Sequence, residues 1–234
     1  YMKNLAVITA RGGSKRIPKK NIREFCGKPI IAYSIQAALE SKCFDEVMVS
    51  TDTIEIKEIA LHYGASVPFL RSEGASDDFA TTKDVLFEVL EDYKKAGVYF
   101  TSMCCIYPTA PFVTAAKLRE AMQLLHSTGA DSVIPVVPFS FPPQRGFLLD
   151  KGNVRFQYPE HEASRSQDLV QVYHDCGQYY CINVGRFLHS GKLFTENTKA
   201  VIADEMEVQD IDNLADWKLA EMKYRLLAGK AKIP

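Results

Sequence analysis

The sequence lacks several features that mark whole classes of protein. No apolar run approaches the roughly 18 residues of a membrane-spanning helix, so we expect no membrane segment. The net charge is only −1, from 28 basic and 29 acidic residues, whereas a general nucleic-acid binder is strongly basic. The six cysteines include no C-x-x-C pair, which favours reduced thiols over zinc or disulfides. These absences favour a globular protein of the cytoplasm.

The two familiar phosphate-binding fingerprints, G-x-x-x-x-G-K-[ST] and G-x-G-x-x-G, are also missing. Residues 5–8 nevertheless form an apolar run, typical of a buried strand, and a glycine-rich basic loop follows it. The loop cations are Arg11, Lys15, Arg16, Lys19 and Lys20. We expect Gly12 and Gly13 to turn the backbone with positive φ, so that successive amides converge on an anion. This order indicates a polyphosphate site, and a solvated surface loop is the alternative.

The rest of the chain alternates between strand and helix patterns. Strands are predicted over residues 47–50, 67–70, 103–106 and 132–137, and helices over 29–41, 54–63, 114–127 and the segment after 82. Regular structure resumes over 178–184, and a strand over 200–203 precedes a final helix near residue 213. The alternation predicts one α/β domain over residues 1–234, with a three-layer, mostly parallel, doubly wound sheet of the Rossmann type.

Residues 139–172 depart from the alternation. A hairpin pattern turns at Lys151-Gly152-Asn153, and a polar, charged segment follows. About 35 residues could hardly bury a core of their own, so we expect an inserted arm rather than a second domain. The arm carries Phe139, Phe141, Phe147, Phe156 and Tyr158. Aromatic residues that cannot all be buried locally mark an interface, which predicts a homodimer with the arm packed on the second subunit.

Polar residues recur at the ends of the predicted strands, where an open α/β sheet binds its ligands. They are the basic loop, the segments 50–52 and 107–111, and Asp210-Ile211-Asp212. Asp210 and Asp212 leave the same face of an extended segment, and Mg²⁺ typically binds one or two carboxylates together with substrate phosphates. The alternative for Asp212 is a favourable interaction with the dipole of the following helix.

Two further groups carry possible chemistry. His174 beside Asp175 either orients or deprotonates a substrate hydroxyl, or makes a supporting hydrogen bond within the sheet. Arg145 and Arg165 lie in the arm and either bind a carboxylate or are ordinary surface residues.

The basic loop resembles the A-R-x-G-S-K-x-x-P-x-K-N signature of cytidylyltransferases that activate nine-carbon acidic sugars, the CMP-sialic acid synthetase family. The matching residues are Ala10, Arg11, Gly13, Ser14, Lys15, Pro18, Lys20 and Asn21. The segment Y-P-T-A-P at 107–111 is similar to the family's Q-P-T-S-P, and D-I-D at 210–212 matches its magnesium motif. R-S-Q-D-L at 165–169 and Y-H-D-C-G-Q-Y-Y at 173–180 most resemble the pseudaminic acid branch. The resemblance covers essentially the whole chain.

The resemblance implies transfer of CMP from CTP to the anomeric hydroxyl of a nine-carbon keto acid, pseudaminic acid in the first place, with release of pyrophosphate. It implies Mg²⁺ bound by Asp210 and Asp212, and catalytic roles for Arg11, Lys20 and Asp210. The product would serve cell-surface or flagellin glycosylation. Two alternatives remain: an enzyme for sialic or legionaminic acid, and a non-catalytic nucleotide-binding regulator on the same fold.

The resemblance also implies the contacts of each substrate. The nucleotide contacts would be Ala10, Arg11, Gly12, Gly13, Ser14, Lys20, Asn21, Arg71, Thr82, Tyr107 and Pro108. The sugar contacts would be Arg165, His174, Asp175 and Gln178. The expected partners are therefore CTP, the sugar acid and a second copy of the chain.

Overall fold

A computed structural model describes residues 3–76 and 80–230. The strands are β1 (Asn4–Thr9), β2 (Glu24–Phe25), β3 (Lys28–Pro29), β4 (Glu46–Ser50), β5 (Ser102–Ile106), β6 (Ser132–Pro138), β7 (Phe147–Asp150), β8 (Asn153–Phe156), β9 (Tyr173–Asp175), β10 (Tyr179–Asn183) and β11 (Thr198–Ile202). The helices are α1 (Ile31–Ser41), α2 (Ile54–His62), α3 (Thr82–Lys95), α4 (Ala115–Thr128), α5 (Val184–Ser190) and α6 (Leu214–Lys230). Within these residues, no helix combines the length and the apolar character needed to cross a bilayer.

A seven-stranded sheet has the order β11-β6-β10-β5-β1-β4, and β9 pairs with the distal part of β6. Strand β1 is parallel to both β4 and β5, and β11 is parallel to β6. Strand β10 runs antiparallel to its neighbours β5 and β6, as β9 does to β6. The mixed, mostly parallel sheet confirms the predicted Rossmann-like α/β class.

Both faces of the sheet are covered by helices. One face packs against α1, α2 and α4, and the other packs against α3 and α5. Because successive side chains alternate between the faces, Ala6 and Ile8 join the first core while Leu5 and Val7 join the second. All four are fully buried, which explains why β1 reads as one continuous apolar run. A third cluster packs α6 against α1 through Phe25, Tyr33 and Trp217.

The parallel strands β4, β1 and β5 end at the same edge of the sheet, and helices begin close to it. Thr53 caps α2 by accepting the Ile56 N–H. Thr81 and Asp84 form a capping box at the start of α3, each side chain accepting the other residue's backbone N–H. These caps fix the backbone that surrounds the carboxyl edge of the sheet.

The strand predicted over residues 67–70 is wrong. In the described part of the chain, a single isolated bridge, between Met48 and Ser66, extends the sheet on that side. Pro68 has no N–H to donate to a ladder, and the Arg71 N–H donates to the Thr51 carbonyl instead. The first helix begins at Ile31 rather than Pro29, because β2 and β3 pair across a tight turn with positive φ at Cys26 and Gly27.

The arm forms the predicted hairpin, with β7 paired to β8 and positive φ at Lys151 and Gly152. Its aromatic side chains remain largely open to solvent: Phe141 is 56% exposed and Phe147 57% exposed. The arm therefore presents an apolar surface, and its packing on a second subunit stays a prediction.

Candidate active site

Two adjoining cavities lie at the carboxyl edge of the sheet, with volumes of about 570 Å³ and about 610 Å³. Gly177, Gln209 and Asp210 line both of them. The two cavities therefore form one continuous cleft, and the Asp210 carboxylate lies where they meet.

The first cavity is polar and rich in cations. Its lining comprises Thr9, Arg11, Ser14, Lys15, Arg16, Ile17, Lys20, Asn21, Arg71, Ala80, Thr81, Thr82, Val85, Tyr107, Pro108, Thr109, Gly177, Gln209, Asp210 and Asp212. The loops after β1 and β5, Arg71, the start of α3 and the segment before α6 all line it, so polar segments distant in sequence meet around one space. Arginine and lysine side chains facing two carboxylates suit a polyphosphate with a divalent cation.

The basic loop is held by its own backbone and by Asn21. The buried Asn21 amide donates to the Arg11 carbonyl at 2.8 Å. The Ser14 N–H donates to the Gly12 carbonyl at 2.9 Å, so that amide is engaged inside the loop. Asn21, which also lines the cavity, therefore shapes the loop.

The predicted positive φ at Gly12 and Gly13 is wrong; among the described residues of this loop, Lys19 has that conformation, with φ 53°. Gly12 is required for a different reason: a Cβ there would lie 2.2 Å from Thr53 Cγ2. The close approach of the loop backbone to the Thr53 side chain, rather than a left-handed turn, explains this glycine.

Arg71 forms a buried cationic wall of the first cavity. Its Nε donates to Ser50 Oγ at 3.0 Å, and its Nη2 donates to the Ser50 carbonyl at 2.7 Å. Burial lowers the pKa of Arg71, an effect that the Asp52 carboxylate opposes. The guanidinium is thus fixed in place before any ligand arrives.

The D-I-D segment has the predicted geometry. The Ile211 side chain is buried in the core against α6, while Asp210 and Asp212 on either side of it line the cavity. The Lys20 ammonium donates to the Ile211 carbonyl at 2.8 Å. Burial lowers the pKa of Lys20, and the Asp212 and Asp210 carboxylates partly oppose this shift.

Asp212 contacts both the first cavity and the start of α6, and its role as a magnesium ligand stays a prediction. Its carboxylate accepts from Arg16 Nη2 at 2.7 Å on the cavity side. Its backbone N–H donates to Asp216 Oδ2 at 3.0 Å, within the network that begins α6. In the described part of the chain, no group of three or more His, Cys, Asp or Glu side chains has metal-binding geometry.

The second cavity is bordered by the ends of β6 and β9 and by the segment that precedes α6. Its lining comprises Val137, Pro138, Phe139, Ser140, His174, Asp175, Cys176, Gly177, Glu205, Val208, Gln209, Asp210 and Lys223. The ring of His174 packs on Phe139 with centroids 4.8 Å apart. His174 Nδ1 lies 3.0 Å from the Asp175 carbonyl, and because a carbonyl only accepts, Nδ1 is the donor in this contact.

Asp175 links the two cavities through hydroxyl groups. Its carboxylate accepts from the Tyr180 hydroxyl and from the Gly177 N–H, the latter at 2.9 Å. The Tyr180 and Tyr107 rings meet edge to face, and the Tyr107 hydroxyl lies 3.1 Å from Thr82 Oγ1. Burial is the main cause that raises the pKa of both Tyr180 and Tyr107, so both remain neutral donors.

Residues 5–193 match the protein-family model described as Cytidylyltransferase. The chain belongs to the cytidylyltransferase family. A pseudaminic acid cytidylyltransferase of Campylobacter jejuni is 39% identical over 226 residues, which cover 96% of this chain and 97% of that protein. A CMP-N,N'-diacetyllegionaminic acid synthase of Legionella pneumophila is 36% identical over 231 residues, with the same coverage of each chain.

A solved structure confirms the family's fold. A CMP-2-keto-3-deoxy-manno-octonic acid synthetase in complex with CTP superposes with a TM-score of 0.69 at 17% identity, and the match covers 97% of this chain and 99% of that one. At this identity the likeness shows the shared fold alone.

Most of the expected nucleotide contacts of this cytidylyltransferase meet in the first cavity: Arg11, Ser14, Lys20, Asn21, Arg71, Thr82, Tyr107 and Pro108. Ala10, Gly12 and Gly13 are not part of the described lining. Ala10 is fully buried beneath the loop, and Gly12 packs against Thr53. Their roles as contacts stay predictions.

The expected sugar contacts are divided. His174 and Asp175 line the second cavity. Gln178 is buried and donates to the Glu207 carbonyl at 2.7 Å, so it fastens the wall of the cavity from behind. Arg165 lies on the exposed arm, paired with Asp168 at 2.7 Å, and neither it nor Gln178 lines the described cavities.

The sequence interpretation also missed residues. Lys223 of α6 lines the second cavity and donates to the Val208 carbonyl at 2.7 Å. Nothing in the pattern of a surface helix marks such a lysine. Asp52 carried a signal, because it follows a predicted strand next to a serine and a threonine, but no role was assigned to it.

Proposed function

We propose that this cytidylyltransferase moves CMP from CTP to the anomeric hydroxyl of pseudaminic acid, a nine-carbon keto sugar acid, and releases pyrophosphate. The observation that carries the proposal is the continuous cleft in which a cation-lined cavity meets a second cavity at Asp210. The alignment with the pseudaminic acid cytidylyltransferase of Campylobacter jejuni covers both proteins almost end to end, which supports the choice of sugar. A flagellin modification protein of Campylobacter coli, 30% identical over 220 residues, supports use of the product in glycosylation.

The first cavity would bind CTP. The anomeric hydroxyl releases its proton to solvent as its oxygen attacks the α-phosphorus and forms a new P–O bond. The bond between the α-phosphorus and the oxygen that bridges to the β-phosphorus breaks, and that oxygen leaves with pyrophosphate. Arg11, Lys20 and Ser14 would contact the phosphates and offset the charge that develops on pyrophosphate. Arg71, fixed by Ser50, adds a cation that needs no rearrangement on binding. Catalysis of this kind rests on positioning and charge rather than on covalent chemistry.

The residues present fit a magnesium ion. Asp210 and Asp212 face the same cavity, and among the described residues no third His, Cys, Asp or Glu side chain completes a metal-binding group with them. Mg²⁺ characteristically combines one or two carboxylates with substrate phosphates and waters, which agrees with that small donor set. When bound, the ion would supply positive charge beside the phosphate oxygens.

The second cavity would bind the sugar acid, with His174 and Asp175 close to its hydroxyl groups. Three carboxylates, those of Asp175, Glu205 and Asp210, line this cavity, and the Lys223 ammonium there donates to backbone carbonyls. A sugar carboxylate needs a cation to offset this local negative charge. Arg165, on the arm of a second subunit, would supply one with bidentate geometry.

The arm would therefore pack on a partner subunit in a two-fold homodimer. Phe139 and Ser140 at its base line the second cavity, and Phe141 and Phe147 are exposed beyond it. Burial of these rings in an isologous interface would place each arm close to the sugar site of the other subunit.

The direct test is turnover of CTP with separate nine-carbon acids, namely pseudaminic, N,N'-diacetyllegionaminic and N-acetylneuraminic acid. Pyrophosphate release and product mass are measured in each reaction. We expect a CMP adduct of pseudaminic acid, formed faster than the other two. Preference for another acid would correct the sugar, and no CMP transfer to any of them would overturn the proposed reaction.

A further inference from the structure

Asp52 connects the ends of the two strands that border the first cavity. It lies two residues after β4, and Gly12 lies three residues after the paired strand β1, where Thr9 is opposite Ser50. Asp52 Oδ1 accepts the Gly12 N–H at 2.7 Å. A charge-assisted hydrogen bond therefore fastens the basic loop to the neighbouring strand end.

The packing around Gly12 leaves little freedom for another arrangement. A Cβ at Gly12 would approach Thr53 Cγ2 to 2.2 Å and Asp52 Oδ1 to 3.6 Å. The loop backbone therefore lies directly against the segment that caps α2. The Gly12 amide points at a carboxylate of the protein and is not a free donor for a phosphate oxygen.

Asp52 also interacts electrostatically with Arg71, which lines the first cavity. The Arg71 N–H donates to the Thr51 carbonyl at 2.8 Å, which places Arg71 beside the Asp52 segment. Among the carboxylates that oppose the burial effect on the pKa of Arg71, Asp52 has the largest influence. One carboxylate thus interacts with the loop that carries Arg11 and Ser14, and with the guanidinium across from it.

We infer that Asp52 is a positioning residue of the nucleotide cavity: through the Gly12 amide it sets the separation between the basic loop and Arg71, so that both sides bind one triphosphate. The inference rests on the proposed function, because the ligand is CTP. Asp52 itself lines neither cavity. A carboxylate close to a polyphosphate is tolerated here because its charge is directed to an amide and a guanidinium.

The chain contains a matched control. Asp45 precedes β4, and its Oδ2 accepts the Asn4 N–H at 2.7 Å at the start of β1. The same pair of strands therefore carries the same carboxylate-to-amide bond at its amino edge, far from both cavities. Asp45→Ala and Asp52→Ala each remove one such bond, and only the second lies at the cleft.

The experiment measures CTP binding by calorimetry, with the free energy of unfolding of each variant from urea denaturation. We expect Asp52→Ala to weaken CTP binding on the order of 10-fold, the usual effect of losing a charge-assisted hydrogen bond. Asp45→Ala should bind CTP as the unaltered protein does. Asp52→Asn keeps an acceptor oxygen and should recover most of the affinity.

The outcomes are distinct. If the unaltered protein does not bind CTP, the proposed function falls and the inference falls with it. If it does bind CTP, an unchanged affinity in Asp52→Ala, or an equal loss in Asp45→Ala, overturns the inference alone. Should Asp52→Ala fail to fold, Asp52→Glu keeps the charge but displaces the loop by one methylene, and unchanged CTP binding in that variant contradicts the positioning role.

Discussion

The two cavities of the cleft are built in different ways. Buried polar groups hold the walls of the first: Asn21 binds the Arg11 carbonyl, and Arg71 binds Ser50. The second opens beside an arm whose Phe141 and Phe147 side chains are exposed. The difference indicates that one chain suffices to organise the nucleotide side, whereas the sugar side borders a surface that a second subunit would cover.

The two cavities also differ in the charges of the side chains that line them. The first combines arginines and lysines with Asp210 and Asp212, and the second has acidic side chains beside Lys223 and His174. A triphosphate is therefore matched by the first cavity of a single chain, and an acidic sugar is not matched by the second. Asp210 belongs to both, so changes there should affect the whole reaction, and changes elsewhere should affect one side.

The largest effect is expected at the shared carboxylate. Asp210→Asn should reduce turnover on the order of 10³-fold, because the amide loses the negative charge that we propose binds Mg²⁺. Excess EDTA should have the same effect on the unaltered protein. Asp204→Asn is the matched control, since Asp204 caps a short turn outside both cavities. Full turnover in EDTA would refute the metal assignment.

Lys20→Met should separate function from stability on the nucleotide side. We expect turnover to fall on the order of 10²-fold, the usual cost of losing one transition-state donor. The free energy of unfolding should stay level or rise, because burial lowers the pKa of Lys20 in the folded state. At pH values between the pKa of Lys20 in the folded chain and its higher pKa in the unfolded chain, the unfolded chain binds more protons. The free energy of unfolding therefore rises with pH in that range because of this lysine.

Urea denaturation at neutral and alkaline pH tests the stability part. The rise contributed by Lys20 should be missing in Lys20→Met. Near-normal turnover of Lys20→Met, or a large decrease in its free energy of unfolding at neutral pH, would indicate that Lys20 has an ordinary structural role.

Mixed subunits test whether the sugar side is shared. Inactive Lys20→Ala and inactive Arg165→Ala proteins, mixed and allowed to exchange, should regain up to about a quarter of the normal activity, because half of the dimers then contain one site without either lesion. Mass spectrometry of the mixture verifies exchange. A mixture that exchanges but stays inactive, or an active monomer, would contradict the shared site.

The smallest effect is expected at the sugar side of a single chain. His174→Asn should raise the KM for the sugar acid several-fold, on the order of one lost hydrogen bond, and should leave the KM for CTP unchanged. His161→Asn on the arm serves as the control, because His161 contacts Ser164 and lies outside both cavities. A change in the KM for CTP alone would contradict the assignment of His174 to the sugar side.

The sequence predicted the parts of this cleft that depend on local pattern. The buried strand before the basic loop, and the shared face of Asp210 and Asp212, follow from backbone periodicity alone. Tyr107 follows from the position of polar residues at the carboxyl ends of parallel strands, which share one edge of the sheet. Arg71 also reaches that edge, but it follows an irregular segment rather than the predicted strand.

Other features depend on contacts between distant segments and were missed for that reason. Gly12 is explained by its contact with Thr53, 41 residues later in the sequence, rather than by its own φ. Gln178 points to the Glu207 carbonyl, a partner 29 residues away. Residues 67–70 look like a strand, but Pro68 interrupts the ladder and the segment instead carries Arg71 to the cavity.

A crystal structure with bound CTP tests the central claim most directly, namely that the first cavity is the nucleotide side and the second the sugar side. The account predicts the triphosphate within hydrogen-bond distance of Lys20, Ser14 and Arg71, with its α-phosphate facing Asp210 and the second cavity open. A triphosphate bound among His174, Phe139 and Lys223 would contradict it.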